Sequence, residues 1–330
     1  MYGTSVELHF LNVGHGDCTF VDLPSGRLMM VDINNSKSLP EGDVIALAER
    51  HGVSTLDFRY SRLLKGARSW QEYYNSLLVD PFDYYTEHFD GRSIFRYVQT
   101  HPDMDHMSGL HRFFWQEEVR LENFWDVNHN KDLKEADFNN SPHSYLDWLV
   151  YKSLRRGIGP NHSSHKVIWN LRGATGQYWT DDAIEVFSPT TELIKVCNTT
   201  GAYNDCSYVL KISYGGRSVI LPGDAEKPAW ESMLENPGAD ALDCDILKAP
   251  HHGRQSGYHA KAAIAMDPEI VVVSVGEKPE TDASDEWKAL GAQVLSTRYN
   301  GTIRVQLDFD GEVFVHNYEG REIAHLDPLK

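Results

Sequence analysis

Thr100-His101-Pro102-Asp103-Met104-Asp105-His106 constrains this chain more than any other stretch. It puts two imidazoles and two carboxylates within six residues, directly behind the apolar run Ile94-Phe95-Arg96-Tyr97-Val98. That run reads as a buried strand, so the four polar side chains sit on the turn that leaves its end. Four ligand-type side chains on one short loop repel and desolvate one another unless something neutralises and orders them. A divalent cation does both. The plainer reading is a polar turn in which Asp103 or Asp105 caps the helix that begins at Met107. One acidic cap does not require His-x-Asp-x-Asp-His around it, so the metal site is the expectation.

Two further strand ends deliver residues of the same kind. Ser218 to Leu221 is apolar and ends at Pro222-Gly223-Asp224, and Asp245 to Pro250 leads into His251-His252-Gly253. Asp224 alone could cap the following helix, and the histidine pair alone could pack on its strand. Three strand ends bearing ligands in series point instead to one site at a sheet edge. Asp32 closes the strand Leu28 to Val31, and its reading stays open between an orienter of metal ligands and a plain turn residue. His111, His129, His143, His162 and His165 follow no ligand spacing and read as surface or loop histidines.

The remaining pattern is α/β. Strands are expected at Val6–Phe10, Cys18–Val21, Phe124–Val127, Ile184–Phe187, Ser207–Ile212, Ile270–Val275, Thr302–Leu307 and Val313–His316. Helices are expected near Val44–Arg50, Trp70–Leu78, Leu110–Glu117, Ser144–Arg156 and Pro228–Leu234, with a polar loop from Asn128 to Pro142 over the site. No repeat and no Pro/Gly-rich linker divides the 330 residues. One domain over 1–330 is therefore expected, with inserts at about 35–92 and 128–180. The first insert reads as a helical lid whose aromatic loops (Phe82, Tyr84, Tyr85, Phe89) form its own core.

No apolar run nears the ~20 residues that span a bilayer, and Met1 to Thr4 opens no signal peptide. The four cysteines form no Cys-x-x-Cys pair and are too few for a disulfide framework. Buried thiols in the cytoplasm, with no membrane association, are the expectation. The charge of 31 basic against 48 acidic residues, −17 in total, discourages non-specific adhesion to nucleic acid. Bound cations would reverse that sign locally. Lys152, Arg155, Arg156, Lys166 and Arg172 either complement a helix end and the acidic surface or form a patch that tracks phosphates.

The chain resembles the metallo-β-lactamase superfamily, and within it the soluble metallo-hydrolase domains of the ComEC type. The resemblance rests on Asn12-Val13-Gly14-His15-Gly16-Asp17, the His101–His106 motif with Ser108-Gly109-Leu110, Asn204 to Leu210, Leu221 to Glu226, Leu247 to Gly253, and Asn300-Gly301-Thr302. It implies a four-layer αβ/βα sandwich with a helical insertion and a dinuclear centre at one edge. His101 and Asp103 would then hold the first ion. Asp105, His106 and His252 would hold the second, and Asp224 would bridge the two. A bridging hydroxide would be the nucleophile, with Asp105 and His251 as the catalytic candidates and His251 facing the substrate.

Two departures stand out. Asp103 replaces a histidine common in the superfamily, and no histidine lies between His165 and His251. Asn204 or Asp205 falls where a further ligand is expected, as metal or substrate contact. The oxygen-rich first site is expected to be labile and to admit Mn²⁺ as well as Zn²⁺. The implied activity is metal-dependent hydrolysis, most readily of a phosphodiester in a nucleic acid or nucleotide. A small ester, lactone or phosphocholine-type substrate, or a non-enzymatic subunit binding a protein partner through the aromatic inserts, are the alternatives.

Overall fold

Side-chain alternation along the strands decides the architecture. In Leu28–Val31, Met29 and Val31 join one core while Leu28 and Met30 join another. The same split separates Val21 from Phe20, Val98 from Tyr97 and Trp125 from Phe124. A strand that buries both faces needs a layer on each. The structure, a computed structural model, describes residues 5–49, 51–54, 68–276 and 281–329. Arg50, at the end of an expected helix, Met1–Thr4 and part of the first expected insert lie outside them.

The first sheet contains β1 (Ser5–Phe10), β2 (Thr19–Asp22), β3 (Leu28–Val31), β4 (Ile94–Val98), β5 (Leu121–Trp125) and β6 (Lys166–Ile168). The second contains β7 (Ile184–Ser188), β8 (Val209–Tyr214), β9 (Arg217–Leu221), β10 (Ile246–Lys248), β11 (Ile270–Val273) and β12 (Gln293–Ser296). The chain then returns to the first sheet as β13 (Ile303–Asp308), β14 (Val313–His316) and β15 (Glu322–Leu326). The strand orders are β15-β14-β13-β1-β2-β3-β4-β5-β6 and β12-β11-β10-β9-β8-β7. Strands β3 to β6 run parallel, as do β9 to β12.

Val6, Leu8, Phe10 and Trp125 of the first sheet meet Val209, Leu210, Val219 and Leu247 of the second in one core, which continues to Trp230, Ala262 and Trp287 on outer helices. On the far face of the first sheet, Phe20, Tyr97 and Phe124 pack under α3 (Pro81–Phe89) and α4 (Tyr145–Leu154). Helices, sheet, sheet and helices thus follow one another, as the four-layer expectation requires. Before these come α1 (Glu41–Glu49) and α2 (Trp70–Asn75), which share a small core of Leu39, Val44, Leu47, Trp70 and Tyr74.

Several local expectations need correction. Phe82–Phe89 is a helix: Asp80 accepts from the backbone N–H of Phe82, and Pro81 holds the first helical position. Its Tyr84, Tyr85 and Phe89 are buried against Phe20 and Phe113, so they belong to the outer core of the main sheet rather than to an insert's own core. His111–Gln116 is a widened π-type turn in place of a regular helix. The short strands β6, β12 and β15 and the helix Thr191–Thr200 escaped the sequence pattern.

Candidate metal centre

Parallel strands of both sheets end on the same edge, and their loops converge there. β3 supplies Asp32, β4 supplies His101 to His106, β9 supplies Asp224 and β10 supplies His251-His252. Two backbone details allow the approach. Gly16 has φ +139, and a Cβ there would lie 2.4 Å from the carbonyl oxygen of Asp105. Its neighbour Asp17 donates its backbone N–H to that same carbonyl at 3.2 Å. His251 and His252 both adopt left-handed backbone, at φ 47 and 53, a conformation that L side chains rarely take and that clusters at functional sites.

Four imidazoles present Nε2 to one carboxylate. Nε2 of His106 lies 3.2 Å from Asp224 Oδ1, and those of His252, His251 and His101 lie 3.5, 3.7 and 3.9 Å from Oδ2. His252 Nε2 is also 3.2 Å from Asp105 Oδ2, and His101 Nε2 is 3.7 Å from Asp103 Oδ2. Each ring is held from behind by its Nδ1. His106 donates to Asp32 at 2.7 Å, His251 to Glu226 at 2.7 Å, His252 to the Ser274 carbonyl at 3.1 Å, and His101 to the Thr100 hydroxyl at 3.0 Å. The Thr100 hydroxyl donates to Asp32 at 2.6 Å, and the Thr100 N–H donates to the other Asp32 oxygen at 2.7 Å. Asp32 therefore orients one ring directly and another through Thr100.

Asp17, His106, Asp224 and His252 form one set whose ligand-type atoms lie within 4.8 Å of one another, and His15, Asp105 and His252 form a second. In the first set Asp17 stands behind the rings. Its oxygens are 3.7 and 3.8 Å from the Nδ1 atoms of His106 and His252, and Lys248 Nζ pairs with it at 2.5 Å. A carboxylate neutralised by a buried lysine on the Nδ1 side braces imidazoles and leaves the Nε2 side to an ion.

Burial would raise the Asp224 carboxyl, but His106 and His252 beside it hold it well below the usual carboxylate range. Burial would lower His106 and His252. The carboxylates around them, Asp224 foremost, raise both instead. His101 moves down, through burial and the neighbouring His106. Nε2 of His101, Nε2 of His106 and Oδ1 of Asp224 are buried without a hydrogen-bond partner. Unpartnered buried nitrogen and oxygen atoms converging on one point fit a divalent cation, which would take the place of protons there.

The other expected residues fall nearby in different roles. Asn204 lies near Glu226, the support of His251, and helps to hold its carboxyl down. Asp205 keeps one buried, unpartnered oxygen, and burial with the Glu226 charge pushes its carboxyl up to about 6. Asp103 is paired with Lys131, which the loop 128–142 brings in from above and which lies over the Tyr203 ring at 5.5 Å. Across the centre, an Arg254 NH2 group lies 3.3 Å from His15 Nε2. Of the scattered histidines, His129 is buried rather than superficial and bonds Tyr151. Arg155, proposed for a phosphate patch, is tied to buried Asp126 at 2.6 Å and to the carbonyls of Val127 and His129.

Asp17, His15, Lys131, Lys248 and Glu226 were not read from the sequence as site residues. Asn12–Asp17 and Leu221–Glu226 belonged to the resemblance without roles for these members. Lys131 had no local signal at all. A cavity of about 970 Å³ beside β7, with Arg172, Trp179 and Phe187 in its wall, shares no residue with the centre.

No family model matches the chain. It is similar to ComE operon protein 3 of Bacillus subtilis (strain 168), at 28% identity over 106 residues, which are 31% of this chain and 13% of that protein. The chain therefore spans only a small part of that relative's length. Among solved structures it is similar to the metallo-beta-lactamase fold protein YhfI from Bacillus subtilis, at 9% identity and a TM-score of 0.43, over 94% of this chain and 99% of that one. Among the described residues no helix is long and apolar enough to cross a membrane.

Proposed function

We propose that this chain is a metal-dependent hydrolase of phosphodiesters, a nuclease or nucleotide hydrolase. The observation that carries the metal is the convergence of four backed imidazole Nε2 atoms on Asp224, with buried acceptors left unpaired. Asp105, His106 and His252 would hold one Zn²⁺ or Mn²⁺ ion, and His101 and Asp103 the other, with Asp224 shared. Ions held there supply Lewis acidity and activate water near neutral pH.

The phosphoryl substrate is favoured by two cations at the rim of an otherwise acidic centre. Lys131 rests on Asp103, and Arg254 rests on His15, which groups with Asp105 and His252. Each ammonium or guanidinium can transfer to a non-bridging phosphoryl oxygen when a substrate enters, which orients the phosphorus and screens its charge. Asp32, Glu226 and Thr100 keep the rings aligned meanwhile. A neutral ester or lactone brings no anionic oxygen in its ground state for such cations to hold. The net charge of −17 keeps a small anionic diester in view as the alternative to a polynucleotide. The four cysteines are free and buried, which suits the reducing cytoplasm proposed for it.

The test is hydrolysis of single-stranded, double-stranded and cyclic nucleotide substrates beside a neutral ester, with chelator-stripped and metal-reloaded protein. Metal-dependent cleavage confined to diesters supports the reading. Cleavage of the ester alone overturns it.

A further inference from the structure

The expected pattern left the first ion short of a nitrogen ligand, because no histidine lies between His165 and His251. We propose that His251 fills that position, with Glu226 as its positioning residue, in place of the substrate-facing role that the resemblance assigns to it. The inference rests on the metal-centre reading above and assigns the ligands within it.

Three observations carry it. First, His251 points inward: its Nε2 lies 3.7 Å from Asp224 Oδ2, the oxygen that His101 Nε2 faces at 3.9 Å. Asp224 is itself almost wholly buried, so a ring aimed at it is aimed into the centre. Second, Nδ1 of His251 is held by Glu226 Oε1 at 2.7 Å, the same distance at which Asp32 holds His106. A carboxylate on Nδ1 fixes the proton there and leaves the Nε2 lone pair for an ion, as is usual behind metal-bound imidazoles. The hydrogen bond from His251, with Ser256 and Asn204 close by, holds the Glu226 carboxyl below the usual range, and the Ser256 hydroxyl also lies 2.7 Å from His251 Nδ1.

Third, the backbone is bent to bring both rings of the pair in. Two successive left-handed residues turn the rings to 6.1 Å between centroids and 63° between planes. The amide of His251 is tied to the Gly223 carbonyl at 3.2 Å, which links this turn to the loop carrying Asp224.

The assignment changes the chemistry of the centre. His101, Asp103 and His251 would hold the first ion, and His106, Asp105 and His252 the second, with Asp224 between them. Two nitrogens and two oxygens then serve each ion. Donor type no longer makes the first site labile, and Lys131 on Asp103 becomes the element that distinguishes the two sites.

The experiment is titration of chelator-stripped full-length protein with Zn²⁺ by equilibrium dialysis, and with Co²⁺ followed by its visible absorption. Wild type should take up about two equivalents. His251→Ala should take up about one, and free imidazole added to His251→Gly should restore the second. Glu226→Gln, a partly exposed change that leaves the ring in place, should keep two equivalents but weaken one about 10- to 100-fold. Two equivalents at wild-type affinity in both His251→Ala and Glu226→Gln would overturn the assignment and return His251 to the substrate. No uptake by wild type would instead refute the metal centre itself, a separate result.

Discussion

Replacing Asp32 by Asn separates an orienting carboxylate from a turn residue. Asp32 has φ 54, and Asn tolerates left-handed backbone as well as Asp does, so a pure turn role predicts almost no effect. In the structure one carboxylate oxygen accepts from the Thr100 hydroxyl and His106 Nδ1. The other accepts from the Thr100 amide and, at 3.3 Å, from Gln99. An amide has one oxygen, so whichever way it turns, its NH2 faces two of these buried donors. At ~1–3 kcal/mol for each buried group left unpaired, the cost is about 2–6 kcal/mol. The loss should appear as a lower urea midpoint with an unchanged slope in chelator-stripped protein. Losing the brace behind His106 and, through Thr100, behind His101 should also weaken metal binding about 10- to 100-fold. An Asp32→Asn protein within ~0.5 kcal/mol of wild type, with the same metal affinity, would refute the reasoning.

Four further outcomes follow. Lys131→Ala should tighten binding of the first ion, by freeing Asp103, while raising KM for a diester. A titration showing equal affinity and unchanged KM would remove Lys131 from the site. Neutral His129 accepts from the Lys131 amide at 3.0 Å, and burial, then the Arg155 and Lys131 charges, hold it down to about 2. Its pKa when unfolded is ~6.5, so below that pH the unfolded chain takes a proton that the folded chain refuses, and stability falls by ~1.4 kcal/mol per pH unit. Wild type should show this extra slope against His129→Gln in urea unfolding between about pH 6.5 and 5; parallel curves would contradict it. Arg155→Ala should destabilise by ~3–5 kcal/mol, because it strands buried Asp126. Exposed Arg156→Ala should instead lower the salt dependence of polynucleotide cleavage by about one power, and a salt slope identical to that of wild type would exclude a phosphate contact there.

The parts of the centre legible in the sequence are those where ligand and strand are adjacent. His101 to His106, Asp224 and His251-His252 each follow an apolar run, so strand-end placement brought them to one edge. Asp32 was open to reading as an orienter of ligands, but which ring each support holds was not legible, because the supports come from remote segments. Asp32 acts across 74 positions on His106, and Glu226 across 25 on His251. Lys248 reads as an ordinary strand residue until its partner Asp17 is seen beside it. In the fold, the alternating and fully apolar strands were readable, whereas β6 and β15 are short, half-exposed edge elements with little pattern. Helix α3 did carry a start signal in Asp80-Pro81, which its aromatic content obscured.

The most direct test of the central claim is a divalent-metal titration of wild type and Asp224→Ala, read by calorimetry and by hydrolysis of a phosphodiester on the same samples. Asp224 faces all four imidazoles, so wild type should bind about two ions and cleave only when loaded, and the variant should lose both binding and cleavage. A wild type that takes up no ion, or an Asp224→Ala protein that binds and cleaves as before, would contradict a metal-dependent hydrolase built on this carboxylate.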